Sequence, residues 1–294
     1  MDGRLLELLA RAPVLTDGAW GTELQRRGLP LGEFPDVWNV LHPENVEAVA
    51  RSYVEAGSRV ILTNTFGANR IRLESHGLAW RLEEINYAGV QISLRAAAGR
   101  ARVFASIGPS GKLLLNNEVA ASDLAEAFRE QAHVLADGGA DALVIETMSD
   151  LEEATLAIAA ARSTGLPVIA CMVFDYGANS DRTMMGVTPE QAASRLTAAG
   201  ADVIGANCGL AIEHFIPICQ RLRASTDRPI WIKPNAGLPK ILDGQAVYDI
   251  APQIFATHLP ALIKAGADFV GGCCGTNPEF IRAMHQILSA GEIP

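Results

Sequence analysis

Cys208, in Gly-Ala-Asn-Cys-Gly, and the adjacent Cys273 and Cys274, in Gly-Gly-Cys-Cys-Gly-Thr, are the residues of this chain best suited to chemistry. Each group closes a short apolar run of strand character, residues 203–206 in one case and 269–272 in the other. Thiolates are soft ligands that select zinc over magnesium or calcium, and three of them leave one position of a tetrahedral ion open. The spacing is not that of a zinc finger, because Cys273 lies 65 residues after Cys208. One ion is shared only if the fold brings both strand ends to one rim. Neighbours in a regular strand point to opposite faces. Cys273 and Cys274 therefore converge only if the backbone turns there, as Gly271, Gly272 and Gly275 allow.

The elements that would position these residues follow from a repeated phrase. Ala-Gly-Ser-Arg-Val-Ile-Leu-Thr at 56–63 returns as Gly-Gly-Ala-Asp-Ala-Leu-Val-Ile at 138–145. It returns again as Ala-Gly-Ala-Asp-Val-Ile at 199–204 and Ala-Gly-Ala-Asp-Phe-Val at 265–270. Each is a helix ending on a C-cap glycine, a short loop, and a strand apolar at successive positions, as parallel strands covered on both faces are. Eight such strands begin near Val14, Val60, Val103, Leu143, Val168, Val203, Ile230 and Phe269. Amphipathic helices are expected between them, among others over 122–136, 151–162 and 189–199. Ser122 and Thr188 serve as N-caps in this reading, with Pro189 in the first turn. Eight strands alternating with helices close most simply as an α/β fold of the (β/α)8 TIM-barrel type. An open doubly wound sheet is the competing topology, and no Gly-x-Gly-x-x-Gly follows the first strand. No linker or low-complexity tract divides the chain, so residues 1–294 are expected to form a single domain.

In such barrels the strand C-termini carry the active site. Those ends are rich in polar residues and glycine. They are Thr16-Asp17-Gly18-Ala19 after the first strand, Thr63-Asn64-Thr65-Phe66 after the second and Ser106 in the third. Glu146-Thr147, Asn207-Cys208, Lys233-Pro234-Asn235 and the cysteine pair complete the set. The seventh strand lies between the two cysteine-bearing strands, which puts Asn235 on the same arc as a candidate oxygen ligand in the substrate-free state.

Composition excludes several classes. A formal charge of −9 argues against nucleic acid and anionic membrane as main partners. No 18-residue apolar run is present to span a bilayer. The N-terminus leads into Leu5-Leu6-Glu7-Leu8-Leu9 rather than a signal-peptide core. The default is a soluble cytoplasmic protein. There its five cysteines read as metal-binding, catalytic or core residues rather than a disulfide framework.

The combination of Asp17-Gly18-Ala19-x-Gly21-Thr22-Glu23, Thr63-Asn64-Thr65-Phe66, Asn207-Cys208 and Gly271-Gly272-Cys273-Cys274-Gly275-Thr276 resembles the homocysteine S-methyltransferase family. The resemblance runs from Leu15 to the last helix. It is strongest to the homocysteine-binding barrel of cobalamin-dependent methionine synthase, through residues 61–68 and Pro234-Asn235-Ala236-Gly237. It implies a zinc-dependent methyltransferase of methionine biosynthesis, with Cys208, Cys273 and Cys274 as metal ligands and catalytic centre. A homocysteine thiol is mostly protonated at neutral pH and a poor nucleophile. Bound to zinc it is deprotonated, and a sulfur-rich shell leaves it electron-rich for attack on an activated methyl group. The family further implies that Asp17 and Glu146 hold the substrate ammonium and that the backbone at Gly18 and Ala19 receives its carboxylate. The chain departs from the family after Gly209, where Leu210-Ala211-Ile212-Glu213-His214 replaces a Gly-Pro step and obscures the next helix start. It carries no recognisable folate, cobalamin or activation module. The methyl donor is therefore read as external: a corrinoid-borne methyl group on a separate protein, a betaine-like ammonium or sulfonium compound, or S-methylmethionine.

Plainer readings stand beside these. Cys171 and Cys219 fit core positions, as small hydrophobes. A vicinal disulfide is the competing reading of Cys273 and Cys274. Asp17 also fits a turn former before Gly18, and Glu146 a rim ion-pair partner. Trp20, Trp38 and Phe66 fit a donor site or ordinary packing equally, and the six histidines show no ligand spacing. Lys233 ends a barrel strand where a Schiff-base lysine of a lyase would sit. An acceptor subunit active only with a separate corrinoid protein is a further alternative.

Overall fold

A computed structural model of the chain describes residues 2–242 and 245–291. Eight parallel strands form its centre: β1 (Val14–Leu15), β2 (Val60–Ile61), β3 (Arg102–Ile107), β4 (Ala142–Met148), β5 (Val168–Met172), β6 (Val203–Ala211), β7 (Ile230–Asn235) and β10 (Phe269–Val270). They run in the order β1-β10-β7-β6-β5-β4-β3-β2. Hydrogen bonds from Arg59 N to Leu15 O (2.8 Å) and from Ser58 Oγ to Thr16 O (3.1 Å) draw β2 against β1. The result is the (β/α)8 barrel expected from the repeated phrase. Each of the four glycines of that phrase, Gly57, Gly139, Gly200 and Gly266, has a positive φ, the left-handed conformation that ends a helix and that only glycine adopts without a Cβ penalty.

The strands are apolar at successive positions because the two faces meet different cores. Val14, Val60, Phe104, Val144, Ile169, Val203, Trp231 and Phe269 fill the barrel interior, with Leu5 and Leu8 of the first helix (Gly3–Leu9) in the same cluster. Leu15, Ile61, Ala105, Ile145, Ala170, Ile204 and Ile232 face the surrounding helices. Trp231 lies 6.1 Å from Phe104 and 5.3 Å from Phe269, ring to ring, and so plugs the interior. Cys171 joins the interior cluster and Cys219 the outer one, both buried.

This alternation decides what reaches the rim. One period beyond the interior residues Phe104, Val144 and Trp231 come Ser106, Glu146 and Lys233; Asn207 holds the same place in β6, two residues after Gly205. All four are buried at the top of the barrel.

Two local readings change. The helix expected from Ser122 starts at Ala121, with Ala120 as an N-cap that makes no side-chain bond. Ser122 is thus inside the first turn, and partly buried Val119, packed on the outer core, sets the entry instead. Thr188 does cap its helix, Pro189–Ala199, through a capping box with Gln191. After Gly209 the strand continues to Ala211 and the next helix, Ile212–Ser225, begins at once. A feature without a counterpart in the sequence reading is the hairpin of β8 (Lys240–Leu242) and β9 (Gln245–Val247), which follows β7.

Candidate metal and substrate site

The Sγ atoms of Cys208, Cys273 and Cys274 lie within 4.8 Å of one another, from residues 65 apart in sequence. Two distortions bring this about. The pairing of β6 with β7 shifts between Asn207 and Ala211, and Cys208 within that bulge has φ +64. A non-glycine residue in that region carries about 1–3 kcal/mol of strain, here spent on aiming a thiol inward. At the other end β10 stops at Val270, before the cysteines. Gly272 N donates to Asp17 O (3.0 Å), Cys273 N to Pro234 O (2.7 Å) and Ala236 N to Cys274 O (2.9 Å). These bonds tie the Gly-Gly-Cys-Cys turn to the ends of β1 and β7.

Gly275 closes the turn at φ +81, and a Cβ there would stand 2.2 Å from the Tyr248 ring. Gly275→Ala is therefore expected to cost more than about 1 kcal/mol and to displace Cys274. Thermal melts together with zinc content would check it; a variant with unchanged melting and full zinc would count against this packing.

The three thiols suit a soft cation. Cys208 and Cys274 sulfurs are 3.8 Å apart, and the edge of a tetrahedron with 2.3 Å zinc–sulfur bonds is about 3.8 Å. All five cysteines are free. Hydrogen bonds from Cys273 and Cys274 pull the Cys208 thiol far down, so one thiolate forms readily. The thiolate at Cys208 in turn pushes Cys273 and Cys274 up, and burial adds to this. Asn235 donates from Nδ2 to Gly209 O (2.9 Å), while its buried Oδ1 has no partner among the described residues. The donor set thus fits zinc.

Next to the sulfurs, Glu146 accepts from Ser106 Oγ (2.5 Å) and Asn207 Nδ2 (3.2 Å). Burial raises its pKa, and Lys233 and Ser106 offset only part of that rise. The Asn207 amide also bonds Thr147 and reaches to 3.9 Å of Cys273 Sγ, linking acid and cysteine cluster. Asp17, fully buried, accepts from Lys233 Nζ (2.5 Å), Trp20 Nε1 (2.8 Å) and Leu62 N (2.7 Å). The last of these takes the place of a strand bond between β1 and β2. Burial opposes the Lys233 ammonium, but Asp17 and Glu146 outweigh it and hold the lysine above its ordinary pKa. A lysine kept charged in this way is the opposite of an imine-forming nucleophile. Ala19 N donates to Thr276 Oγ1 (3.2 Å), and Ala19 O accepts from Tyr53 OH (2.6 Å).

Every residue singled out for the site, Asp17, Gly18, Ala19, Glu146, Asn235 and the three cysteines, lies at the strand C-termini or the turns that follow them. Trp20 serves Asp17, whereas buried Trp38 donates to Glu33 and packs on His42. Phe66 lies against Gly108. Ser106, Thr147, Thr276, Tyr53 and Tyr248 had no assigned role, since their partners are distant in sequence. Lys233 carried a signal, as a charge inside the apolar run Ile-Trp-Ile-Lys demands a buried counter-ion.

A (β/α)8 barrel with a three-cysteine cluster between two buried acids defines an enzyme-type thiol site at the active face. Residues 14–288 match the homocysteine S-methyltransferase family, to which the chain belongs. Methionine synthases of Mycobacterium tuberculosis (strain ATCC 25618 / H37Rv) and Mycobacterium leprae (strain TN) are each 31% identical over 96% of the chain. The chain spans about a quarter of the length of these relatives. In fold it is similar to the metallated form of the homocysteine methyltransferase MmuM from Escherichia coli, with TM-score 0.80 at 24% identity, covering 96% of this chain and 99% of that one.

Proposed function

We propose that this chain is a single homocysteine-binding barrel domain acting as a zinc-dependent homocysteine S-methyltransferase that forms methionine. The observation that carries the reading is the sulfur triad of Cys208, Cys273 and Cys274 at the barrel mouth, beside Glu146 and the Asp17–Lys233 pair. Zinc held by the triad would lower the pKa of a substrate thiol at neutral pH. The chain's own residues do the rest. Glu146, oriented by Ser106 and Asn207, receives the substrate ammonium together with the Asp17 side of the pocket. The Gly18–Ala19 backbone turn faces the carboxylate. Asn235 would offer its side-chain oxygen to such an ion in the substrate-free state.

The test is methionine formation by zinc-loaded protein from homocysteine and a panel of donors: S-methylmethionine, betaine-like ammonium and sulfonium compounds, and a methylated corrinoid protein. Glu146→Gln should raise the homocysteine KM about 10- to 100-fold, the value of one charge-assisted hydrogen bond, with zinc content unchanged. An unchanged KM would remove Glu146 from the substrate site.

A second reading has its own support: an acceptor barrel working with a separate methyl-carrying corrinoid protein. Leu115, Tyr176, Met184, Leu238 and Val247 stand exposed on the segments that follow β3, β5 and β7. Turnover only after adding such a partner would select it. No helix among the described residues is long and apolar enough to cross a membrane, and the charge of −9 disfavours nucleic acid.

A further inference from the structure

Thr276 is fully buried and touches both halves of the site. Its backbone N–H donates to Cys273 O (3.1 Å), closing a β-turn in which Gly275, at φ +81, takes the left-handed third position. Its hydroxyl donates to the same carbonyl (2.7 Å). A hydroxyl has one proton to give, so toward Ala19 N (3.2 Å) the same oxygen is the acceptor. The polarity of the chain is thereby fixed, from Ala19 N–H through the Thr276 hydroxyl to Cys273 O. Tyr53, also fully buried, holds the other side of the Gly18–Ala19 turn by donating from its hydroxyl to Ala19 O (2.6 Å). A Cβ on Gly18 would stand 2.8 Å from both hydroxyl oxygens, and one on Gly272 would stand 2.4 Å from that of Thr276. The two turns therefore close on one hydroxyl, with no room for a side chain on either. Ala19 N is committed to it, which leaves Gly18 N, without a partner among the described residues, as the open donor of that turn.

An amino-acid thiol is held at both ends, its carboxylate at the Gly18–Ala19 turn and its sulfur at the triad. Its length must match the span between them. Cys273 is fixed from both sides, its N–H on Pro234 O (2.7 Å) and its carbonyl under Thr276. Through the Thr276 hydroxyl the carboxylate turn is tied to that fixed point. Resting on the homocysteine reading, we infer that Thr276 is a positioning residue that sets specificity: its hydroxyl fixes the span between the carboxylate turn and the sulfur site, and so gauges the length of the thiol. Thr276 acts through Ala19 and Cys273 rather than on the substrate itself. L-Cysteine, one methylene shorter than homocysteine, cannot satisfy both ends at that span and gives up one of them.

The test measures binding of L-homocysteine and L-cysteine by calorimetry on zinc-loaded protein, with no methyl donor present and zinc content determined on the same samples. The wild type should prefer homocysteine by roughly 10- to 100-fold, the range of one charge-assisted hydrogen bond given up. Thr276→Val keeps the shape of the side chain and removes the bridge. It should narrow the preference by about 5- to 10-fold, the factor of one ordinary hydrogen bond, by weakening homocysteine while cysteine changes by less than about twofold. Zinc should stay stoichiometric, and Thr276→Ser, which keeps the hydroxyl, should restore most of the preference. If Thr276→Val does not fold, Tyr53→Phe, which releases the other side of the same turn, should narrow the preference likewise. Both thiols weakened alike in the variant, or zinc lost from it, would overturn the inference while sparing the homocysteine reading. A wild type that binds the two thiols equally would do the same. A wild type that binds zinc but neither thiol would overturn the homocysteine reading itself, and this inference with it.

Discussion

Replacing Cys208, Cys273 or Cys274 by alanine, one at a time, is expected to weaken zinc binding at least 100-fold and to abolish methionine formation in a barrel that still folds. Loss of even an outer-sphere partner of a metal site costs about 10- to 100-fold, and these are the proposed ligands themselves. The fold should survive because the three side chains lie beyond the apolar layers of the interior and outer cores. The positive φ of Cys208 also relaxes no further strain on loss of its sulfur, so each variant reports on the metal. Metal analysis and circular dichroism on the same samples check both halves. A variant that keeps stoichiometric zinc would remove that cysteine from the ligand set. By contrast, Cys171→Ala and Cys219→Ala should retain zinc fully, since neither sulfur belongs to the cluster of Cys208, Cys273 and Cys274.

The second large effect concerns stability. Lys233 and Asp17 form an ion pair with side-chain exposures of 3% and 0%. Removing one partner of such a pair leaves an uncompensated buried charge and costs about 3–5 kcal/mol. Lys233→Met and Asp17→Asn should therefore differ in kind. The first leaves a buried carboxylate held only by the Trp20 and Leu62 N–H groups, whereas the second leaves an ammonium facing a neutral amide, with Glu146 still near. Melting should fall by roughly 6–20 °C in Lys233→Met, at about 2–4 °C per kcal/mol for a domain of 150–250 residues or somewhat less for a larger one. The double variant should recover much of this, because neutralising both partners removes the desolvation cost. Additive losses in the double variant, measured by denaturant titration, would show that the pair is not coupled.

The barrel was legible because its strands are doubly covered. An apolar residue at every position of Val-Ile-Gly-Ala or Leu-Val-Ile has no place in a one-sided sheet, and the glycine before each strand marks the preceding helix end. The cysteines and Glu146 were legible for a related reason: each ends or immediately follows such a run, so the strand itself points to the rim. What stayed hidden depends on pairs distant in the chain. Asp17 and Lys233 are 216 residues apart, Ser106 and Glu146 40, Asn207 and Cys273 66. A sequence announces that Lys233 needs a counter-ion without saying which acid provides it. The bulge that aims Cys208 was equally hidden, since its positive φ falls on a non-glycine residue and residues 210–214 offer no break signal. The β8–β9 hairpin rests on short strands among Gly, Pro and Asp, a composition that reads as loop.

The central claim is that the three cysteines hold a zinc ion whose open position takes the substrate sulfur. X-ray absorption at the zinc edge, on chelator-free protein purified under reducing conditions, tests it most directly. The expected result is about one zinc per chain with three sulfur neighbours and a lighter one, gaining a fourth sulfur when homocysteine is added. Folded protein without zinc, or a zinc shell that homocysteine leaves unchanged, would contradict it.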